Sequence, residues 1–107
     1  MIVSTEWLEL LARLQEHYTR YGDVELGGQI IKVQEELGEV AEAYIGWSGS
    51  NPRKGTTHSR HDIAMELADV VMTAALGIMY AGFEVNGILA EQAKKAVGRL
   101  DDFDAGR

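Results

Sequence analysis

The sequence contains no cysteine, which excludes disulfide bonds, thiolate nucleophiles and zinc–thiolate sites. It has a single proline in 107 residues, and its basic side chains number ten against seventeen acidic ones, for a net charge of −7. A surface that binds nucleic acid is normally basic, so this balance argues against a general nucleic-acid-binding protein. A phosphorylated small molecule stays open as a ligand, because a bound cation can reverse the local field.

Neither secretion nor a membrane span is predicted. The first ten residues lack a basic stretch followed by a long apolar run, which a signal peptide requires. The uncharged part of the most apolar segment, 70–83, is shorter than the roughly 20 residues that cross a bilayer. With 46% hydrophobic residues in 107 positions, we expect one domain over 1–107 in the cytoplasm.

Apolar residues recur at three- and four-residue spacing in four segments, and no strand pattern or repeat stands out. Ser4 and Asn86 are suited to cap the first and last helices, and Ser59 with Asp62 forms a capping-box pattern before the third. We therefore predict an all-α fold, a bundle of about four helices over 4–21, 29–46, 63–83 and 87–103.

The third predicted helix is apolar on almost all sides, yet Glu66 and Asp69 share one narrow stripe of it with Asp62 and Thr73. Buried carboxylates are costly unless they are paired or bound to a metal. One chain of this length also has too few helices to cover such a helix. We therefore expect a cation at the stripe and a homodimer or homotetramer around the remaining surface.

The second predicted helix carries Glu36 and Glu39 at the edge of an apolar face that includes Ile30, Leu37 and Tyr44. If the second and third helices pack antiparallel, the two carboxylate pairs face each other. All-oxygen ligands favour Mg²⁺, with Mn²⁺ as the other candidate. A ferritin-like di-iron site would need Glu-x-x-His motifs, which these helices lack. A solvated acidic edge, with Lys32 paired to Glu36, is the alternative interpretation.

The two motifs, Glu35-Glu36-x-x-Glu39 and Glu66-x-x-Asp69, resemble the signature of the MazG-like all-α nucleoside triphosphate pyrophosphatases. The resemblance implies an oligomeric all-α protein that hydrolyses nucleotides between the α and β phosphates with Mg²⁺, giving a monophosphate and pyrophosphate. It also implies that the metal ligands are Glu36, Glu39, Glu66 and Asp69. By the same resemblance the catalytic residues are Glu35 and Glu36, with Glu35 as a further ligand or as the base that orients water.

Basic side chains elsewhere are candidates to neutralise the phosphates of such a substrate. The loop predicted over 47–60 is rich in Gly, Ser, Thr and Asn, and a loop of this length is either functional or a mobile linker. Lys94 matches a lysine that the family often carries, whereas the asparagine expected near it is replaced, with Lys95 as the substitute. The predicted phosphate-binding residues are Lys32, Arg53, Lys54, Lys94 and Lys95, and Trp47 is the candidate to stack on the base.

Two functions from different classes follow from this pattern. The first is Mg²⁺-dependent hydrolysis of nucleoside triphosphates, standard or modified, in the cleaning of the nucleotide pool. The second is a non-catalytic helical oligomer that binds a nucleotide or a partner protein and regulates it. Turnover of a nucleotide panel separates the two, because only the enzyme releases pyrophosphate.

Overall fold

The structure, a computed structural model, describes residues 2–22, 25–49 and 51–106. These ranges contain no strand, and the prediction of an all-α fold with four helices is confirmed. The helices are α1 (Thr5–Tyr21), α2 (Leu26–Ser48), α3 (Arg60–Tyr80) and α4 (Val85–Ala105).

The N-caps predicted for α1 and α3 are both present. The Ser4 hydroxyl accepts a hydrogen bond from the Trp7 amide at 3.2 Å. Ser59 accepts from the Asp62 amide at 3.1 Å, and the Asp62 carboxylate accepts from the Ser59 amide at 2.8 Å, which completes the capping box. The bond from the Ser59 amide lowers the pKa of Asp62. The start of α3 is therefore fixed locally, close to the carboxylates that it carries.

Replacing Ser59 by alanine should lower the free energy of unfolding by about 1 kcal/mol, because an N-cap hydroxyl satisfies an amide that otherwise has no helical partner. Ser59→Asp keeps an acceptor at the same position and should retain most of the wild-type stability. Urea denaturation of the three proteins measures the difference. Equal midpoints for Ser59→Ala and the wild type would show that the cap contributes nothing.

Helix α2 begins at Leu26, three residues before the predicted start, because Glu25 serves as its N-cap. The Glu25 carboxylate accepts from the amides of Gly27 and Gly28 at 3.0 and 2.9 Å. Glutamate is not a favoured N-cap residue, so this helix start could not be predicted from the residue type. The helix ends at Ser48, where Gly49 takes a left-handed conformation with φ 69°. Trp47 is therefore helical, and the predicted loop shortens to 49–59, within which Ser50 lies outside the described residues.

Asn86 does not cap α4, so that prediction is wrong. Its amide group instead bonds both backbone groups of Val3: Asn86 Oδ1 accepts from the Val3 amide at 2.7 Å, and Nδ2 donates to the Val3 carbonyl at 3.2 Å. The start of α4 is thereby tied to the N-terminal segment. Helix α4 begins at Val85 and runs to Ala105, two residues beyond the predicted end.

The apolar core lies where α1 crosses the second half of α3 and the start of α4. Its fully buried members are Leu11, Ala75, Leu76 and Val85. Partly buried side chains surround them, including Trp7, Leu14 and Met72. The core therefore fastens α1 to the end of α3 that is remote from the carboxylates.

Helices α2 and α3 pack antiparallel along much of their length. Near the start of α2, Gln29 Nε2 donates to the Thr73 carbonyl at 3.0 Å, and near its end Gly46 lies against His58, just before α3. The buried residues of α2 are Gln29, Ala43 and Gly46, on the same stripe as the two glutamates. The apolar face of α2 stays exposed within one chain, with Ile30 and Leu37 55% and 54% accessible.

Much apolar surface is left uncovered on the other helices as well. Met65, Leu67 and Val71 of α3 are exposed, as are Val97 and Leu100 of α4. The radius of gyration is 17.3 Å, against about 13 Å for a compact domain of this length. By length and composition alone, α3 could cross a membrane, and 11% of its most apolar stretch is buried within the chain.

Candidate metal centre

The antiparallel packing of α2 and α3 brings three of the four predicted metal-binding carboxylates together. One oxygen each of Glu36, Glu39 and Glu66 lies within 4.8 Å of the other two. The two glutamates of α2 are one turn apart on the stripe that faces α3, and Glu66 approaches from the opposite helix. Three negative charges this close repel one another unless protons or a cation neutralise them.

The burial of these carboxylates is uneven. Glu36 and Glu66 are half-buried, whereas Glu39 is exposed. Glu66 Oε2 is shielded from solvent and has no hydrogen-bond partner among the residues that the structure describes. Buried acceptors in folded proteins are almost always satisfied, so this oxygen is available to a ligand.

The electrostatics of the cluster favour a neutralised state. Burial raises the pKa of Glu36, and the charges of Glu39, Asp69 and Glu66 raise it further. Burial also raises the pKa of Glu66, with Glu39 and Asp69 adding to the rise and His58 opposing it. A bound divalent cation would offset the mutual repulsion that contributes to these raised pKa values.

Asp69 lies outside the group of three, although its charge acts on both half-buried glutamates. The Thr73 hydroxyl donates to the Asp69 backbone carbonyl at 2.7 Å, and Asp62 is engaged in the helix cap. The side chains of Thr73 and Asp62, which share the stripe of α3 with Glu66 and Asp69, thus have local structural roles in that helix. Glu35 is exposed and lies one turn before Glu39 on α2.

Gln29 is a residue of this groove that the sequence reasoning missed. Its side chain is 1% accessible, and while Nε2 bonds the Thr73 carbonyl, Oε1 has no partner among the described residues. Gln29 lies seven residues before Glu36, two helical turns along the same stripe, and this spacing was the available signal. A polar residue buried between two helices fixes their register.

Two of the candidate ligand-binding side chains are held by aromatic contacts. Lys32 Nζ lies 4.6 Å from the ring centroid of Tyr18, so α1 holds this ammonium one turn before Glu36. The Arg60 guanidinium lies 5.8 Å from the ring centroid of Trp47, whose ring is also 5.9 Å from that of Tyr44. Trp47 is 38% accessible, which leaves part of its ring open to a ligand.

The other predicted phosphate-binding residues are divided between a loop and a remote helix. Arg53 and Lys54 belong to a turn organised by Asn51, whose Oδ1 accepts from the Arg53 amide and whose carbonyl accepts from the Lys54 amide, both at 3.1 Å. Lys94 and Lys95 are exposed on α4, which packs on α3 and not on α2 in the described part of the chain. Of these four residues, Lys54 lines a small cavity with Gly46 and His58 at the end of α2.

Two cavities with largely apolar linings lie away from the carboxylates. One, of about 320 Å³, lies between α1 and the α3–α4 turn and is lined by Leu8, Met79 and Phe83 among others. The second, of about 300 Å³, is an apolar groove that includes Trp7, Val71 and Leu89. None of the three clustered carboxylates lines either cavity, so neither belongs to the candidate metal centre.

Comparison with known proteins adds no relative to this description. No family model, curated protein or solved structure matches the chain. The resemblance to MazG-like pyrophosphatases therefore depends on the two carboxylate motifs, and any function has to be argued from the geometry around them. That geometry offers hard oxygen ligands for a divalent cation, with basic side chains nearby for an anion.

Proposed function

We propose that this protein is a MazG-like, Mg²⁺-dependent pyrophosphohydrolase of nucleoside triphosphates. It hydrolyses the anhydride between the α and β phosphates: the oxygen of water bonds to one of these two phosphorus atoms, the bond from that atom to the bridging oxygen breaks, and a nucleoside monophosphate and pyrophosphate are released. The observation that carries the proposal is the convergence of Glu36, Glu39 and Glu66 within 4.8 Å, with Glu66 Oε2 buried and unpartnered. Without a cation, the repulsion between such carboxylates lowers the stability of the fold, and with one they act together as its ligands.

The residues of the chain divide into three roles in this proposal. Glu36, Glu39 and Glu66, with Asp69 beside them, hold the cation. Glu35 accepts the proton of the attacking water, since it is exposed to solvent one turn from Glu39. When bound, Mg²⁺ neutralises phosphate charge and orients the oxygens of the anhydride.

The remaining side chains bind and orient the substrate. Lys32, fixed against Tyr18, supplies positive charge at one end of the groove, and Lys54 of the loop supplies it at the other. Trp47 offers the open part of its ring to the base. Phosphoryl transfer depends chiefly on positioning the substrate and on neutralising the charge of its phosphates. In an acidic protein with few basic residues, a bound cation would supply part of that neutralisation.

The direct test is incubation of the purified protein with a panel of standard and modified nucleoside triphosphates and Mg²⁺, with separation of the products. We expect monophosphate and pyrophosphate in equal amounts from at least one nucleotide. Release of diphosphate and inorganic phosphate would contradict the proposed site of cleavage. Binding of nucleotide without any turnover would instead favour the non-catalytic regulatory oligomer.

The same protein is proposed to be a soluble cytoplasmic homo-oligomer, a dimer or a tetramer. The support is the apolar surface that one chain leaves uncovered on α2 and α3, together with the extended shape of the chain. A second copy is the occupant that fits best, because carboxylates such as Glu66 and Asp69 within α3 are costly inside a bilayer. Within one chain, α4 does not pack on α2 in the described residues. In the proposed oligomer, Lys94 and Lys95 of one copy would therefore contact the carboxylate groove of another copy.

Light scattering should give a particle mass of at least twice the 11.8 kDa of one chain at micromolar concentration. Val71→Glu places a charge in the apolar groove of α3 and should shift the particle towards the single-chain mass. Arg13→Glu, at an exposed position of α1, serves as the control and should leave the mass unchanged. A single-chain mass for the wild type would exclude the oligomer.

A further inference from the structure

The loop between α2 and α3 is seated on Gly46 and carries a histidine to the edge of the carboxylate groove. The Thr57 amide donates to the Gly46 carbonyl at 2.9 Å, which attaches the end of the loop to the last turns of α2. A methyl group at Gly46 would overlap the His58 ring and lie 2.6 Å from Thr57 Oγ1. Glycine is therefore needed at this position for the loop to approach the helix.

The His58 imidazole is oriented by a neighbour and keeps one nitrogen available. Its Nδ1 lies 2.9 Å from Thr57 Oγ1, and no hydrogen bond reaches Nε2 from any residue that the structure describes. The ring is half-buried against Gly46. An imidazole fixed at one nitrogen and free at the other is arranged to bind a ligand through the free one.

His58 is also close enough to the carboxylates to act on them. Its charge lowers the pKa of Glu66 and that of Asp62, in opposition to the burial of both groups. Lys54 lines the same small cavity as His58, of about 90 Å³, which has room for a few water molecules or for the oxygens of one phosphate. Glu42 lines it too, and as an exposed side chain it can turn to solvent when an anion enters.

We propose that the loop 51–59, seated on Gly46, forms a phosphate subsite in which His58 Nε2, with Lys54 beside it, contacts phosphate oxygens of the bound nucleotide. This inference rests on the proposed function, because the ligand of the loop would be a phosphate of the nucleotide whose cation Glu36, Glu39 and Glu66 would hold. His58 is then a binding residue, and Gly46 and Thr57 are positioning residues that act through it.

Two isosteric substitutions separate a ligand-binding histidine from a structural one. Asparagine at 58 can reproduce the Nδ1 contact with Thr57 but has no distal nitrogen, whereas glutamine places an amide nitrogen near the position of Nε2. Titration calorimetry with Mg²⁺-pyrophosphate as the probe should show His58→Asn weakened by about 10- to 100-fold and His58→Gln weakened less. Tighter binding by His58→Asn than by His58→Gln would overturn the proposal.

A glycine pair on α2 provides an independent test. Gly46→Ala should displace His58 and weaken pyrophosphate binding by about tenfold or more, whereas Gly38→Ala, where a methyl group meets nothing within 4 Å, should bind as the wild type does. Circular dichroism and Mn²⁺ affinity, unchanged in every variant, establish that the fold and the metal centre are intact. If Gly46→Ala does not fold, the asparagine and glutamine variants decide alone.

The results distinguish the subsite from the proposed function. If no nucleotide is hydrolysed but Mg²⁺-pyrophosphate binds and His58→Asn weakens it, the function fails and the subsite stands. If nucleotides are hydrolysed while all variants bind pyrophosphate equally, or if the wild type binds none, the subsite fails.

Discussion

Replacing Glu66 by glutamine should reduce kcat/KM for nucleotide hydrolysis by more than about 100-fold, because even a residue that only supports a metal ligand is worth roughly 10- to 100-fold. The substitution keeps the size of the side chain but halves its capacity to bind a cation. Glu66 has a buried oxygen without a hydrogen-bond partner among the described residues, and glutamine replaces one of its two carboxylate oxygens by an amide nitrogen, which does not bind a hard cation. Steady-state kinetics with saturating Mg²⁺ measures the effect.

The same variant should be more stable than the wild type when no metal is present. The folded-state pKa values of Glu36 and Glu66 are raised above 4.5, so the folded protein holds these protons more tightly than the unfolded chain. Stability from this source is complete below pH 4.5 and is lost as the pH rises through the raised values. Glu66→Gln cannot ionise and should escape its part of that loss.

Thermal denaturation in a chelator at several pH values tests the sign of this effect. The melting temperature of Glu66→Gln should exceed that of the wild type by an amount that grows above pH 4.5, and Mg²⁺ should stabilise only the wild type. Glu9→Gln, at an exposed position on α1, controls for the loss of one negative charge. A variant that is active, or less stable than the wild type at neutral pH without metal, would contradict the proposed role of Glu66.

Replacing Leu11 by alanine should lower the free energy of unfolding by about 2–5 kcal/mol, the range measured for large cavities in well-packed cores. Leu11 is completely buried between α1 and the core residues Ala75, Leu76 and Val85. Stability of small domains totals only about 5–15 kcal/mol, so this single cavity takes a large share. Urea denaturation at one fixed protein concentration gives the difference.

The neighbouring leucine is the matched control for this cavity. Leu10 is 39% accessible, and Leu10→Ala removes the same atoms at a cost of less than about 1 kcal/mol. Because α1 also fixes Lys32 through Tyr18, Leu11→Ala should raise KM for the nucleotide while leaving Mn²⁺ affinity unchanged. Equal destabilisation by the two substitutions would show that α1 is not anchored through Leu11.

The sequence predicted the helices well because their signals are local. Three- and four-residue apolar spacing, the Ser4 cap and the Ser59–Asp62 capping box are all contained within single helical segments. The start of α2 and the role of Asn86 were missed for the opposite reason. Glu25 caps α2 although glutamate seldom does so, and Asn86 is recruited by Val3, 83 residues away in the sequence.

The convergence of Glu36, Glu39 and Glu66 could be expected on the condition that α2 and α3 pack antiparallel, since each motif keeps its carboxylates on one helical face. The face of α2 that packs on α3 could not be predicted from the apolar pattern of the sequence. The apolar side of α2 is the wider one, yet the buried residues are Gln29, Ala43 and Gly46. Small residues and a satisfied amide donor allow the two helices to approach on the polar stripe, and the apolar side is left for another surface.

The position of His58 was not predictable from the sequence, because it depends on a contact between a loop and Gly46. In the sequence nothing distinguishes this histidine from His61, which the structure places in the first turn of α3, where it is exposed. Once the loop is seated, one histidine is fixed against α2 and the other is left in solvent.

Binding of Mn²⁺ followed by electron paramagnetic resonance tests the central claim most directly, because it asks whether the carboxylates of α2 and α3 hold a divalent cation before any substrate is added. We expect saturable binding by the wild type and by Glu9→Gln, and an affinity more than about 100-fold weaker for Glu66→Gln. Equal affinity in the wild type and Glu66→Gln, or no binding by the wild type, would contradict the metal centre on which the proposed function depends.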